Sequence, residues 1–489
     1  KKPDLKFVYV VDVDTPKERK ILHRMHKVND KNIMLTSKTE YQFPAGGTEK
    51  LKQPPVVIGS GPAGLFCAWA LAKAGLRPVV YERGEKASER KKTVDQYWKD
   101  GILDPNSNVQ FGEGGAGTFS DGKLNTGVKD KTGRKQFVLQ SFVNFGAPEE
   151  ILYDAKPHIG TDVLQTVITN MRLAMEEKGC QFLFHTKMTK ILEENGRVCG
   201  VLTQNGEKEE TILCERVILA IGHSARDTFE LLKKEHITMS QKPFAMGVRV
   251  QHRQEDIDRA QYGFNDEKLP ASPYKLTGKT TDGRGVYSFC MCPGGYVVNA
   301  SSEPEMLAVN GMSYQARDSR NANSALIVSV TPADFPEEGP LGGVAFQRNL
   351  ERAAWKAGNG KVPVQLFEDY QKHKPSTRLK DVEPCIKGAC VPGDVRSIFP
   401  KEIGDSIEEG VLAFGKKIKG FDRPDAVLSG VESRTSSPVR IVRDKDSLEA
   451  NYEGIYPCGE GAGYAGGITS AAMDGIKVAE AVSKKFRNF

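Results

Sequence analysis

The chain has 489 residues, too many for a single hydrophobic core, and at one domain per roughly 100 to 200 residues it predicts two or three domains. Apolar residues make up 39%, charged residues 27% and aromatic residues 8%, which excludes a disordered tail, a coiled coil and a small disulfide-stapled scaffold. The net charge of +6 comes from 69 basic and 63 acidic residues, so basic charge is matched by acid, which leaves nucleic acid a minor option as a partner. Nine scattered cysteines form no secreted framework and suit reduced thiols, and no apolar run approaches the roughly 18 residues of a membrane span. A cytoplasmic location away from membranes is the expectation. Glycine is in surplus, with 49 residues or about 10% of the chain against an ordinary share of roughly 7%.

Residues 1–50 predict a small N-terminal α/β lobe. Leu5 to Val13 is β-branched and aromatic enough for a strand, Lys20 to His26 is basic and helical, and Pro44 to Pro55 is a linker rich in Gly, Pro and Lys. Residues 51–245 predict the first part of a doubly wound, Rossmann-like α/β domain. Val56 to Ile58 is a buried strand, Ala63 to Ala74 a helix, and Pro78 to Glu82 the returning strand of a β-α-β unit. Further on, Thr161 or Asp162 caps a long helix running to Lys178. Gln181 to His185, Val198 to Thr203 and Thr211 to Cys214 then read as antiparallel strands, and Val217 to Gly222 as a buried strand ending on glycine. Residues 246–427 lose this rhythm, which predicts an inserted α+β substrate domain. Residues 428–489 return to it with a strand at Gly454 to Gly459 and a helix at Ile468 to Phe486.

The glycine surplus gathers in three loops, 59–64, 112–122 and 459–467, which hold 13 of the 49 glycines. Gly59-Ser60-Gly61-Pro62-Ala63-Gly64 fits G-x-G-x-x-G between a strand and a helix, with Glu82 ending the next strand. The first glycine allows the tight turn, the second lets backbone approach a pyrophosphate, and the third packs helix on strand. Glu82 would accept hydrogen bonds from a ribose diol and repel a 2′-phosphate, so the site suits FAD or NAD. Gly112 to Gly117 repeats the pattern without the strand and helix, and is read as backbone lying flat on a planar ligand, with a solvent loop as the alternative. Gly461 to Gly466 precedes a helix, so Gly466, Gly467 and Ile468 would present free amides to an anionic group.

Together these residues resemble the FAD signatures of the glutathione-reductase-like flavoprotein superfamily. The segments Gln110 to Leu124, Cys292-Pro293-Gly294-Gly295, Gly430 to Arg440 and Gly459 to Ala472 are similar to a bacterial family of FAD-dependent dehydrogenases of unassigned substrate. The resemblance covers roughly residues 50 to 489, and it implies that both parts of the doubly wound domain bind FAD. It places the pyrophosphate on Gly59, Gly61, Pro62, Ala63 and Gly64, and the adenosine ribose on Glu82 with Arg83 beside it. It places Gly115, Ala116, Gly117, Thr118, Lys123 and Leu124 along the flavin, and Ala220 and Gly222 at the middle strand end. Glu460, next to Gly459, stands where an Asp usually meets the ribityl chain. Gly466, Gly467 and Ile468 would face the flavin pyrimidine edge.

The resemblance implies a flavin-dependent oxidoreductase that passes a hydride between a small organic substrate and flavin N5. Disulfide reductases of the superfamily carry a second nucleotide fingerprint that is missing between 125 and 430. NAD(P)H, as a transient donor, would therefore enter through the substrate cleft. Cys385 and Cys390 copy a redox C-x4-C spacing but lie too far along the chain, and with Cys290 and Cys292 they read as buried free thiols and no metal site. Arg434 suits a substrate carboxylate and equally a structural ion pair. Lys123 counters charge on the reduced flavin or is a surface lysine, and His223 donates a proton or simply caps and packs. Tyr464 is the expected aromatic stacker. A flavin monooxygenase, a tRNA-modifying flavoprotein and a non-catalytic nucleotide-binding protein are the alternatives.

Overall fold

The computed structural model describes residues 5–28, 31–36, 40–266 and 268–487. Its first sheet is built from five strands of three residues each, all parallel. Their order is Ile455–Pro457, Val217–Leu219, Val56–Ile58, Val79–Tyr81, Gln181–Leu183. Alternation sorts their side chains between two apolar layers. Val57, Val80, Ile218 and Tyr456 face the helices Pro62–Lys73, Thr161–Glu176 and Ile468–Lys485. Val56, Ile58, Tyr81, Val217, Leu219 and Ile455 face the other way, toward an antiparallel sheet of Lys187–Glu194, Arg197–Asn205 and Lys208–Leu213 and the helix Arg226–Lys234. Each fully buried Val, Leu or Ile contributes about 1.5–3 kcal/mol. The helix Pro62–Lys73 is apolar all round because it is buried on every side. Gly475 lets the terminal helix lie directly on it, since a Cβ there would stand 2.1 Å from the Ala63 carbonyl oxygen.

The segment between these halves forms a seven-stranded mixed sheet with its own core. The order is Thr277–Lys279, Gly285–Cys292, Asn321–Val330, Phe244–Arg253, Val427–Glu432, Val362–Leu366, Cys390–Pro392. The helix Lys401–Gly415 packs on it. The boundaries expected at 245/246 and 427/428 cut through strands of this sheet: Phe244 is already paired with Val330, and Val427–Glu432 is its fifth strand. Both strands are buried except at Arg253, so their sequences look the same as the strands of the parallel sheet.

Other expectations are corrected. Leu5 to Val13 forms no strand; Val8 and Val10 are 87% and 97% exposed, and a strand needs a neighbour to take its backbone hydrogen bonds. The helix Glu18–Val28 does form. The linker is not free: Gly47 N–H donates to the Ser483 carbonyl at 2.8 Å and Glu49–Lys50 pairs in parallel with Phe486–Arg487, while just before it Tyr41 packs on Phe137 and donates to Glu480. Thr161 and Asp162 cap nothing, because the helix is preceded by Gly160. Thr161 donates to the Ser120 carbonyl instead, and Asp162 accepts from the Gln315 amide. Gln181–Leu183 joins the parallel sheet, and the first antiparallel strand is Lys187–Glu194.

Candidate functional site

A cleft with about 1540 Å³ of empty space, part of it open to solvent, runs from the carboxyl ends of the parallel strands to the edge of the seven-stranded sheet. Its floor is the first glycine turn. Gly59 has φ +100°, and a Cβ on it would stand 2.4 Å from the Ala220 carbonyl oxygen. Gly61 is the residue before the helix, with no side chain capping the first turn, and nothing lies closer to its would-be Cβ than Gly115 Cα at 3.8 Å. Gly64 faces inward, where a Cβ would stand 1.9 Å from the Gly59 carbonyl oxygen. Turn and packing thus fall to the glycines expected for them, and Gly61 leaves its face of the turn open. Pro62 and Ala63 line the cleft beside them.

The second wall is the loop 106–122, which crosses over the turn through Gly114 N–H to the Ser60 carbonyl at 2.9 Å. Gly115, Ala116 and Gly117 line the cleft, and Gly117 lies against Ile468. Glu82 fastens this wall. Its carboxylate accepts from Ser60 N–H at 2.9 Å, Ser60 Oγ at 2.7 Å, Gly84 N–H at 3.0 Å and Gly112 N–H at 3.1 Å. The expected ribose acceptor is therefore already saturated, and a ribose hydroxyl has to displace the Ser60 hydroxyl to reach it. Arg83 stacks on Phe111 at 4.4 Å and pairs with Asp227 at 2.6 Å, lining the same end. Ala220 and Gly222 line the middle strand end, and beside them His223 pairs with Ser224 Oγ at 2.9 Å. Burial, with Arg434 and Arg226 nearby, pushes the His223 imidazole down to about 3, so it stays neutral.

The third wall is the terminal loop. Gly459 has φ +74° and its N–H donates to Asp474, which aims Glu460 into the cleft. Burial pushes the Glu460 carboxyl up to about 7 against a pull from Lys242. Gly466 and Gly467 have no atom near their would-be Cβ positions, and Ile468 N–H begins the terminal helix beside them. Four expected residues lie behind the walls: Gly64, Gly459, Thr118, which donates to the Glu113 carbonyl, and Leu124, whose carbonyl accepts from Thr469.

The inner end is completed by the inserted sheet. Lys123 donates to Asp121 at 2.6 Å and to the Met291 carbonyl. Burial would raise the Asp121 carboxyl, but Lys123 and Arg317 hold it below its usual range. Arg249 and Glu432 form a bidentate pair at 2.6 and 3.1 Å, and Arg249 also holds Asn310 at 2.8 Å. Cys290 sits at the register break of Gly285–Cys292 and opens onto the cleft, contrary to its expected burial, while Cys292 is buried. Arg434 lines the cleft but is committed to Glu351 at 2.9 and 2.7 Å, with Ser302 and Ser224, so the ion-pair reading holds. Glu351 also binds Arg226, at 2.7 and 2.8 Å, and burial's upward pull on its carboxyl is overcome by the two guanidiniums. Tyr464 lies outside the cleft. Arg443 stacks on its ring at 3.8 Å and donates to its hydroxyl, so the stacking role falls away. Cys385 and Cys390 are unpaired and are not among the cleft's lining residues. Cys290, Asn310 and Glu432 at the inner end are not evident as site residues from the sequence; Glu432 lies two residues before Arg434 and Cys290 two before Cys292-Pro293-Gly294-Gly295, whereas Asn310 stands in no motif.

The walls fit FAD: an open approach at Gly61, a backbone wall opposite, free amides at Ala116, Gly467 and Ile468, and a second compartment beyond. Fold and cleft together define a flavoprotein of oxidoreductase type on a Rossmann-like sheet. Residues 57–104 match the family described as NAD(P)-binding Rossmann-like domain, and residues 243–435 match FAD-dependent protein, C-terminal domain-like. An uncharacterized protein of Clostridium beijerinckii is 48% identical over 491 residues, spanning 99% of this chain and 90% of its own. The chain belongs to the family of that clostridial protein, and its cofactor is FAD. In outline it is similar to the flavin-dependent brominase Bmp2 (TM-score 0.39, 14% identity, 88% of this chain and 78% of that one). It is also similar to the glycine oxidase of Bacillus cereus (TM-score 0.37, 12% identity, 89% and 99%). At these scores the likeness goes no further than outline.

Proposed function

We propose that the protein is an FAD-dependent dehydrogenase or reductase passing a hydride between a small organic substrate and flavin N5. The observation that carries this reading is the continuity of one cleft from the glycine turn to a compartment walled by Lys123, Cys290, Asn310 and Glu432. Bound FAD supplies the two-electron chemistry. The turn at Gly59 to Ala63 and the amides of Ala116 and Gly117 hold the diphosphate, Glu460 the ribityl chain, and Gly467 and Ile468 the pyrimidine edge. In the inner compartment Asp121 and the Met291 carbonyl fix the Lys123 ammonium, leaving one of its three N–H donors for a polar group of the substrate. Neutral His223, the paired Arg249 and Glu432 and the ion pair of Lys123 with Asp121 leave this end without an unpartnered charge among the described residues. NAD(P)H is proposed as a transient donor entering by the same cleft, since of the two other G-x-G-x-x-G segments 112–117 lines that cleft and 461–466 reaches it at Gly466. No helix among the described residues is long and apolar enough to cross a membrane.

The test is anaerobic stopped-flow mixing with NADH, NADPH and small organic donors, followed by substrate-dependent reoxidation. Bleaching of the flavin by one donor and recovery on adding an organic acceptor supports the reading. Rapid reoxidation by air with a hydroxylated product would replace it with a monooxygenase.

A further inference from the structure

Arg90, on the helix Ala87–Asp100, is completely buried, and its guanidinium donates to no carboxylate among the described residues. It donates instead to five backbone carbonyls: Asn108 at 2.9 Å, Val109 at 3.0 Å, Gly112 at 3.3 Å, Glu113 at 2.8 Å and Gly115 at 2.9 Å. The ring of Phe119 covers it at 4.9 Å. Burial pulls the guanidinium down to about 10 against Glu82, Glu113 and Glu85, so it remains charged at neutral pH. All five carbonyls belong to the wall that faces the glycine turn. The wall is shaped to this side chain: Gly112 has φ +116°, and a Cβ there would stand 2.4 Å from Arg90 Cδ.

In a trans peptide a carbonyl and the following N–H point in opposite directions. The carbonyls of Gly112, Glu113 and Gly115, turned onto Arg90, therefore turn the next N–H groups, those of Glu113, Gly114 and Ala116, away from it. Those of Glu113 and Gly114 are used inside the protein, on the carbonyls of Glu85 and Ser60. That of Ala116, which lines the cleft, meets no acceptor among the described residues. We propose that Arg90 is a positioning residue for the FAD diphosphate. Its buried charge orients the Gly115–Ala116 peptide so that Ala116 N–H meets the anion, and the cation acts through that peptide without touching the ligand. The proposal rests on the FAD assignment.

The experiment measures binding of FAD, ADP and adenosine to the full-length chain freed of flavin. ADP carries the diphosphate and adenosine does not, so their ratio isolates that contact from any general bracing of the loop. Arg90→Lys keeps a charge but has three donors for five carbonyls, and Ala116→Pro deletes the one N–H. Each should shrink the ADP preference over adenosine by about tenfold or more, the size of a lost hydrogen bond to an anion, while adenosine affinity stays within about twofold. Equal losses for ADP and adenosine in Arg90→Lys would reduce the residue to a brace and overturn the proposal. An Arg90→Lys chain that does not fold leaves the decision to Ala116→Pro, whose undiminished ADP preference would equally overturn it. A wild-type chain that takes up no FAD would instead defeat the FAD assignment itself.

Discussion

Gly61 and Gly64 stand three residues apart in one turn, yet replacing each with alanine should fail in opposite ways. At Gly61 the backbone has φ −70°, which any residue adopts, and the new Cβ meets nothing nearer than 3.8 Å. Gly61→Ala should therefore fold with a stability within about 0.5 kcal/mol of wild type. Its methyl group, however, occupies the opening through which the diphosphate must approach the backbone, so FAD affinity should fall by about tenfold or more. At Gly64 the Cβ would stand 1.9 Å from the Gly59 carbonyl oxygen, 3.0 Å from its carbon and 3.3 Å from Val57 Cγ1, and two of these three atoms are backbone. The gain of about 1 kcal/mol in helix propensity is outweighed by the displacement of helix from strand. Gly64→Ala should lose about 1–3 kcal/mol of stability even without cofactor. Urea denaturation of the flavin-free chains reads the stability, and visible absorbance after mixing with FAD reads the binding. Wild-type FAD affinity in Gly61→Ala, or wild-type stability in Gly64→Ala, would refute the geometry of the turn.

Three further outcomes are expected. Glu351→Gln leaves the buried guanidiniums of Arg226 and Arg434 without their shared anion and should cost about 3–5 kcal/mol in urea unfolding; a loss below about 1 kcal/mol would contradict the network. Glu460 titrates near 7 in the folded chain and at 4.5 when free, so between those values the folded chain binds the extra proton. Stability of the flavin-free protein should accordingly fall as pH rises from about 5 to about 7, and Glu460→Gln should remove that component of the slope. Tyr464→Leu should leave the flavin spectrum and FAD affinity unchanged, because the ring sits under Arg443 outside the cleft; a shifted spectrum would return it to the flavin.

What could be read from the sequence was what is decided locally. The turn at Gly59 to Gly64 is dictated by three glycines with three separate steric reasons, and all three are visible in a string of six residues. The helix at 468–485 announces itself by periodicity and by the glycines before it, and the helix at 62–73, apolar all round, by the glycine turn that precedes it. What the sequence hid depended on partners that residue type and pattern do not reveal. Leu5 to Val13 has the composition of a strand but no neighbouring strand among the described residues. Val427–Glu432 looks like a strand of the parallel sheet, and only its pairing with Phe244–Arg253 shows that it belongs elsewhere. Glu82 lines the cleft where a ribose acceptor is expected, but the hold of Ser60, Gly84 and Gly112 on its carboxylate is not visible in the string. Chemical type leaves Arg434 open between a substrate anion and an ion pair, which Glu351 decides, and offers Tyr464 as a stacker, whose ring Arg443 covers. Arg90 gave no signal, because an arginine among lysines on a helix looks like surface until its five carbonyls are seen.

The central claim is that this cleft holds FAD, and the most direct measurement is the flavin content of the purified full-length chain, before and after incubation with FAD. One FAD per chain, a flavin absorbance pair in the visible and near-ultraviolet, and loss of both in Gly61→Val with the fold retained are expected. A colourless chain that takes up no FAD, or a Gly61→Val chain that binds it as wild type does, would contradict it.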